Sequence, residues 1–196
     1  MNFKSKFKSI IEIIKLNEEA IRKAAKEDDS WKWGLFIIII GSIIGTLTFS
    51  FAPEILSSPF ESGAIQKFTP FSLISAPIVS IIFTLIGVGI IHFIAKLFGG
   101  KGTYKELFSV YALSSILSWL AIINFIPFCS FFMILIGIYS IVISIIIVKT
   151  IYNLSLKKAI WVIIIPLIIL MIILIIIISI IAITTMVIGV DPASIL

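Results

Sequence analysis

The residue types that most often carry chemistry are scarce in this chain, and they lie apart. It has one histidine, His92, and one cysteine, Cys129. A single cysteine excludes an intrachain disulfide and a Cys-rich metal site, and a single histidine excludes the paired-histidine zinc motifs. Neither a Gly-x-Ser-x-Gly elbow nor a Walker loop is present. The inventory therefore names no catalytic, cofactor-binding or metal-ligating residue. Hydroxyls are the commonest polar groups within the apolar runs: Ser72, Ser75, Ser80 and Thr84, then Ser109, Ser114, Ser115 and Ser118, then Ser140 and Ser144. Groups of this kind either line a polar path or hydrogen-bond and pack between helices. The densest local pattern is Phe98-Gly99-Gly100-Lys101-Gly102-Thr103-Tyr104-Lys105-Glu106-Leu107-Phe108. Its glycines permit a tight turn, and Thr103 with Glu106 three residues on fits a capping box, so a helix starts here.

The elements that position these residues follow from composition. Of 196 residues, 60% are hydrophobic and 13% charged, with a mean hydropathy of +1.26. Soluble domains run near 45–50% apolar and about 25% charged. A soluble domain, a disordered chain and a nucleic-acid module are all excluded, despite the net charge of +5. The 51 isoleucines favour strands by propensity, but the apolar runs are far too long for strands. In lipid every backbone polar group must be satisfied within its own helix or in a closed barrel, and the alternating ten-residue segments of a barrel are absent. The fold class is an all-α integral membrane protein.

Charged residues delimit five spans, near 33–52, 71–95, 107–123, 128–148 and 160–188, each long enough to cross the hydrocarbon core. The 42 uncharged residues of 107–148 must fold back once, and Asn124 and Pro127 mark the turn. The organisation read from this is a cytoplasmic amphipathic helix over 1–30, a five-span domain over 31–190 and a short external tail over 191–196. The first apolar run follows 32 mostly polar residues, six of them acidic, so it reads as a retained anchor rather than a secretory leader. Lys4, Lys6, Lys8, Lys15, Arg22, Lys23, Lys26 and Lys32 precede the first span; Lys96, Lys101 and Lys105, then Lys149, Lys157 and Lys158, occupy two later loops. Five spans put all of these on one side, with only Lys67 opposite. The positive-inside rule then predicts a multi-pass protein of the cell membrane, with its N-terminus cytoplasmic and its C-terminus outside. Trp31, Trp33 and Trp161 fall at the cytoplasmic interface as aromatic anchors.

Residues 3–27 read as one amphipathic helix. Phe3, Phe7, Ile10, Ile11, Ile14 and Ile21 share a face, and Lys4, Lys8, Lys15, Arg22 and Lys26 cover the other. Three placements are open: in the bilayer interface with those cations near anionic headgroups, against a partner or a second copy with Asn17 setting a coiled-coil register, or packed under the bundle. Within the spans, Gly41 and Gly45 form a small-xxx-small pair suited to close helix packing. The last span is almost all Ile, Leu and Val, which places it at the lipid-facing periphery. No Asp, Glu, Lys or Arg falls inside a span, which argues against coupled transport and intramembrane catalysis. His92, one turn from Lys96, reads as a wetted interfacial histidine. The expected function is non-enzymatic: organising the bilayer or other membrane proteins, itself included, through the basic cytoplasmic face. The alternative is an uncoupled transporter or channel along the hydroxyl faces of spans two to four. No cofactor and no nucleic acid is expected.

The run Gly99-Gly100-Lys101-Gly102-Thr103-Tyr104-Lys105 resembles the Gly-Gly-x-Gly-Ser/Thr-aromatic-Lys run of the Yip domain family. A second run, Tyr152-Asn153-Leu154-Ser155-Leu156-Lys157-Lys158-Ala159, is similar to the family's "Gly/Asn-Leu-Ser-x-x-Lys-Ala" segment before its last helix. The resemblance covers roughly residues 30–185 and implies a five-span membrane protein. The family's eukaryotic members interact with Ypt/Rab GTPases through a longer cytoplasmic region. The short, isoleucine-rich form here looks more like the prokaryotic members.

Overall fold

The computed structural model describes residues 3–51, 69–126 and 130–188. Among these the chain is helical throughout: α1 (Phe3–Ile14), α2 (Glu18–Lys26), α3 (Ser30–Phe51), α4 (Ser72–Leu97), α5 (Tyr104–Ser114), a 3-10 segment (Ser115–Phe125), α6 (Ser130–Tyr152) and α7 (Leu156–Ile188). Five helical stretches are long and apolar enough to cross a membrane: Ser30–Thr48, Ser72–Leu97, Tyr104–Phe125, Phe131–Tyr152 and Leu156–Thr184. They correspond one to one with the five spans expected. Pro127, Cys129, Lys67 and the tail 191–196 lie outside the described residues.

The third span differs from the uniform helix expected over 107–123. It changes from α to 3-10 at Ser115 and ends at Phe125, where Ile126 turns extended. Ser114 and Ser115 donate their hydroxyls to the carbonyls of Tyr111 and Ala112, at 2.7 and 2.6 Å. Such local bonds, three residues back, suit the tighter 3-10 winding that follows. At about 2 Å per residue that winding also lengthens a short span.

The centre of the bundle is the packing of α3 on α5 and the 3-10 segment. A Cβ on Gly34 would meet the Ala112 Cβ at 2.4 Å, and one on Gly41 would meet Ser118 Oγ at 2.3 Å. Only bare backbone fits there. Trp119 reinforces the seam by donating Nε1–H to the Ile37 carbonyl at 3.0 Å. The small-residue pair is therefore Gly34 and Gly41. The expected partner, Gly45, has nothing within 4 Å of where its Cβ would lie. All three glycines lie on one face of α3, within about 40° of one another, so only what stands opposite, Ala112 and Ser118 against Gly34 and Gly41, separates them.

The buried core is polarised along the bundle axis. It uses the first part of α3 (Ile37, Ile38), the end of α4 (Val88, Ile91, Ile94, Ala95), the start of α5 (Leu107, Val110, Leu113), the end of α6 (Ile143, Ile147, Val148, Ile151, Tyr152) and the start of α7 (Ala159, Val162, Ile163). The opposite halves of α4 and α6, and α7 from Leu167 onward, present Ile, Leu, Phe and Met outward. Without water between the helices, exposing such side chains to lipid carries no hydrophobic penalty. α7 accordingly lies at the periphery.

The N-terminal region is two helices rather than the one expected over 3–27. Leu16 adopts φ 65°, and Asn17 accepts hydrogen bonds from the Glu19 and Ala20 N–H groups at 3.0 and 3.2 Å. Asn17 is thus the N-cap of α2, not a coiled-coil register residue; an Asx side chain at this position satisfies amides that a new helix start leaves open. The apolar face turns onto the bundle, with Ile10, Ile13, Ile21 and Ala24 in the common core. Of the three placements, packing under the bundle accounts for those four. Phe7 and Ile11 of α1 remain partly exposed. Lys6, which sequence pattern does not separate from its neighbours, is buried and bonds Glu27 and Ser30 Oγ, tying α1 to the start of α3.

Gly34→Ala is expected to force α3 and α5 apart and destabilise the detergent-solubilised protein by about 1–3 kcal/mol, the usual range for overpacking. Gly45→Ala is expected to leave stability unchanged or raise it slightly, since alanine is the better helix former. Apparent melting temperature by fluorescence, compared across the two variants, checks this.

Candidate functional site

The residues of the glycine-rich run converge at one end of the bundle with parts of the chain far away in sequence. The α4 helix ends in a Schellman motif: Gly99 at φ +83° directs its N–H to Lys96 O at 3.0 Å, and Gly100 N–H reaches Ala95 O at 2.9 Å. This turn lays the loop on the end of α6. A Cβ on Gly100 would meet Tyr152 Cδ1 at 2.6 Å, and one on Gly102 would meet Ile151 Cγ2 at 2.7 Å. Lys101 N–H bonds Tyr152 O at 3.2 Å. Gly99 is needed for its backbone angle, whereas Gly100 and Gly102 are needed for close approach. Thr103 and Glu106 then form the expected capping box: Thr103 N–H bonds Glu106 Oε2 at 2.8 Å, and Thr103 Oγ1 accepts from Glu106 N–H at 3.3 Å.

Tyr152 sits at the centre of this junction, fully buried. Its hydroxyl lies 2.5 Å from His92 Nδ1, and the His92 ring meets the Tyr104 ring edge-on at 5.9 Å. Tyr104 donates to the Leu85 carbonyl at 3.0 Å and stacks on Phe108. His92 is therefore not a simple wetted histidine. It joins α4, α5 and α6 through two tyrosines, a role that spacing along the sequence gives no sign of.

The α6 helix ends as α4 does. Asn153 takes φ 52°, and Leu154 N–H bonds Lys149 O at 3.1 Å. Glycine and, after it, asparagine take this left-handed position at the least cost. Arg22 of α2 donates to Asn153 Oδ1 at 3.0 Å, and Lys149 pairs with Glu18 at 2.5 Å. Lys105 pairs with Asp28 at 3.2 Å, and Lys158 donates to Phe98 O at 3.3 Å. The hydrogen bond from Lys149 is the main reason the Glu18 carboxyl titrates below its ordinary value of 4.5.

Gly99, Gly100, Gly102, Thr103, Tyr104 and Lys105 thus stand together with Arg22 and Lys26 at the basic end. Lys8 and Lys15 are exposed elsewhere, Lys15 against Glu12 at 3.2 Å, and the Lys4 side chain lies outside the described residues. Gly41 belongs to the interior seam. Tyr152, Asn153, Glu18 and Lys6 are the organising residues that reading by residue type passes over; the only sign was that Tyr152 and Asn153 open the second family-like run. Several span hydroxyls are used locally: Thr84, Ser140 and Ser144 donate to carbonyls four residues back, as Thr46 and Thr48 do, whereas Ser109 Oγ is buried without a hydrogen-bond partner. Among the described residues no group of His, Cys, Asp or Glu is arranged to hold a metal ion.

One family description matches most of the chain: the Yip1 domain, over residues 11–178. Comparison with curated proteins and with solved structures finds no match.

Asn153→Gly is expected to be tolerated and Asn153→Val to destabilise by roughly 1–2 kcal/mol, the cost of a left-handed turn for a residue with a branched Cβ; thermal unfolding in detergent checks the order. Because the folded value for Glu18 lies below 4.5, its contact with Lys149 stabilises fully above pH 4.5 and is lost as pH falls through that lower value. The apparent melting temperature is expected to drop more steeply below pH 4.5 in the natural chain than in Glu18→Gln.

Proposed function

The chain belongs to the Yip1 domain family, and from that premise we propose that it is a non-enzymatic membrane platform that organises partner proteins or lipid at its basic end. One observation carries the reading. Three basic segments, 4–32, 96–105 and 149–158, come together at the same end of the bundle through contacts of Arg22, Lys105 and Lys149. Fourteen of the fifteen Lys and Arg belong to these segments. Their excess supports placing this end in the cytoplasm of a cell, N-terminus included, with the C-terminus outside. The outer side of α1, with Phe7 and Ile11 exposed beside Lys8 and Lys15, supports contact with the headgroup layer. Partners are then other membrane proteins or further copies of the chain, met through the loops 98–105 and 153–158.

Two measurements test this. In a Cys129→Ser background, a cysteine at Lys101 is expected to react with an impermeant maleimide only when the cytoplasmic side is open; reaction from outside overturns the orientation. A photocrosslinking residue at Lys157 is expected to yield discrete protein adducts in native membranes, whereas one at lipid-facing Ile172 is expected to yield none. Equal labelling at both positions overturns the platform.

A further inference from the structure

The basic end holds a cleft of about 210 Å³ between α2, the glycine-rich loop and the end of α6. Its lining includes Arg22, Lys26, Lys101, Glu106, Thr150 and Asn153. Three cations face one carboxylate, and that carboxylate is engaged: Glu106 Oε2 accepts from Thr103 N–H at 2.8 Å and from Thr103 Oγ1 at 2.9 Å. Arg22 donates to Asn153 and lies 3.9 Å from Glu18. Neither Lys26 nor Lys101 has an ion-pair partner among the described residues. The lining therefore carries more positive than negative charge: Glu106, whose bonds to Thr103 leave its charge in place, and Glu18 beside Arg22 offset the cations only in part. Such a site lowers its own repulsion by taking up an anion, and concave low-dielectric walls strengthen the field.

Size and chemistry narrow the anion. The cleft is smaller than the 300–1,000 Å³ typical of sites for drug-sized ligands, yet it holds several times the roughly 30 Å³ that one water occupies. That suits a phosphate group with part of its hydration. Arg22 offers a planar fork of donors, and the two lysines offer mobile point charges, the combination that proteins use on phosphate oxygens. A small cleft with clustered cations does not suit an extended acidic peptide. We propose that this cleft binds a phosphate group, carried by an anionic lipid headgroup or by a free phosphate. The binding deepens the platform reading, since it rests on that end facing an aqueous compartment beside the headgroups.

The test uses the full-length protein in neutral detergent. Native mass spectrometry with short-chain phosphatidic acid is expected to show one retained lipid per chain, and none with phosphatidylcholine of the same chain length. Lys26→Gln with Lys101→Gln is expected to weaken that binding about tenfold or more. Lys8→Gln with Lys23→Gln, equal in charge change but outside the cleft, is expected to weaken it less than about threefold. If the first double variant is not monodisperse, Lys101→Gln alone on its exposed loop carries the same comparison, with about threefold expected. Competition by inorganic phosphate at similar concentration assigns the site to free phosphate; competition only by the lipid assigns it to a headgroup. Equal weakening by the two double variants, or no binding of either phosphate source, overturns the proposal. The crosslinking and labelling outcomes above do not depend on this readout, so either inference can fail alone.

Discussion

Helices in a bilayer gain nothing by hiding apolar surface from one another, because lipid tails are as apolar as the side chains. Association must come from close packing and from polar bonds. The described part of this protein uses both, with different weight in two places. Close packing is at the seam of α3 against α5, where Gly34 and Gly41 bring backbones together. Polar bonds gather at the basic end, where Tyr152, His92, Asn153, Arg22, Glu18 and Lys149 join α2, α4 and α6. Between them these two features explain the polarised core. Beyond their reach α4, α6 and α7 face outward, and lipid is a sufficient partner for them.

The same constraint gives the glycine-rich run its physical meaning. The run has the look of a flexible loop or a phosphate cradle, but each glycine answers a geometric demand. Gly99 supplies the left-handed angle that closes α4, and Gly100 and Gly102 let the loop lie on Tyr152 and Ile151. Asn153 meets the matching demand at the end of α6. Two helix ends, closed by related turns and packed on one another, form a rigid base. The cations that project from it, Lys26 and Lys101 among them, have no ion-pair partner among the described residues. A structural junction thereby presents a charged surface.

Buried polar groups at this end also bind the N-terminal helices to the bundle. Lys6 is taken out of water against Glu27 and Ser30. A charge so placed is costly unless paired, so the arrangement makes the position of α1 specific rather than merely adhesive. On α1, Ile11 and part of Phe7 stay exposed. The hydrophobic arc visible in the sequence is therefore wider than the bundle needs.

Much of the fold was legible in the chain alone. The five spans and the gathering of basic residues at one end follow from the lengths of apolar runs between charges, a one-dimensional property set by bilayer thickness. The Thr103–Glu106 cap was legible because capping is local. What the sequence left open depends on distance through space. Periodicity could not say that the face of 3–27 meets protein on one side, nor that Asn17 breaks it, because a cap and a register residue look alike in a pattern. It could not choose Gly34 over Gly45, because both are small residues on an apolar helix and only the approach of Ala112 distinguishes them. Tyr152, His92 and Tyr104 are 60 residues apart at the extremes, and only the folded bundle brings their rings together. The sequence by itself determined which segments enter the membrane and which side carries the charge; tertiary structure alone decided which of those charges share a cleft, since that depends on how helix ends pack.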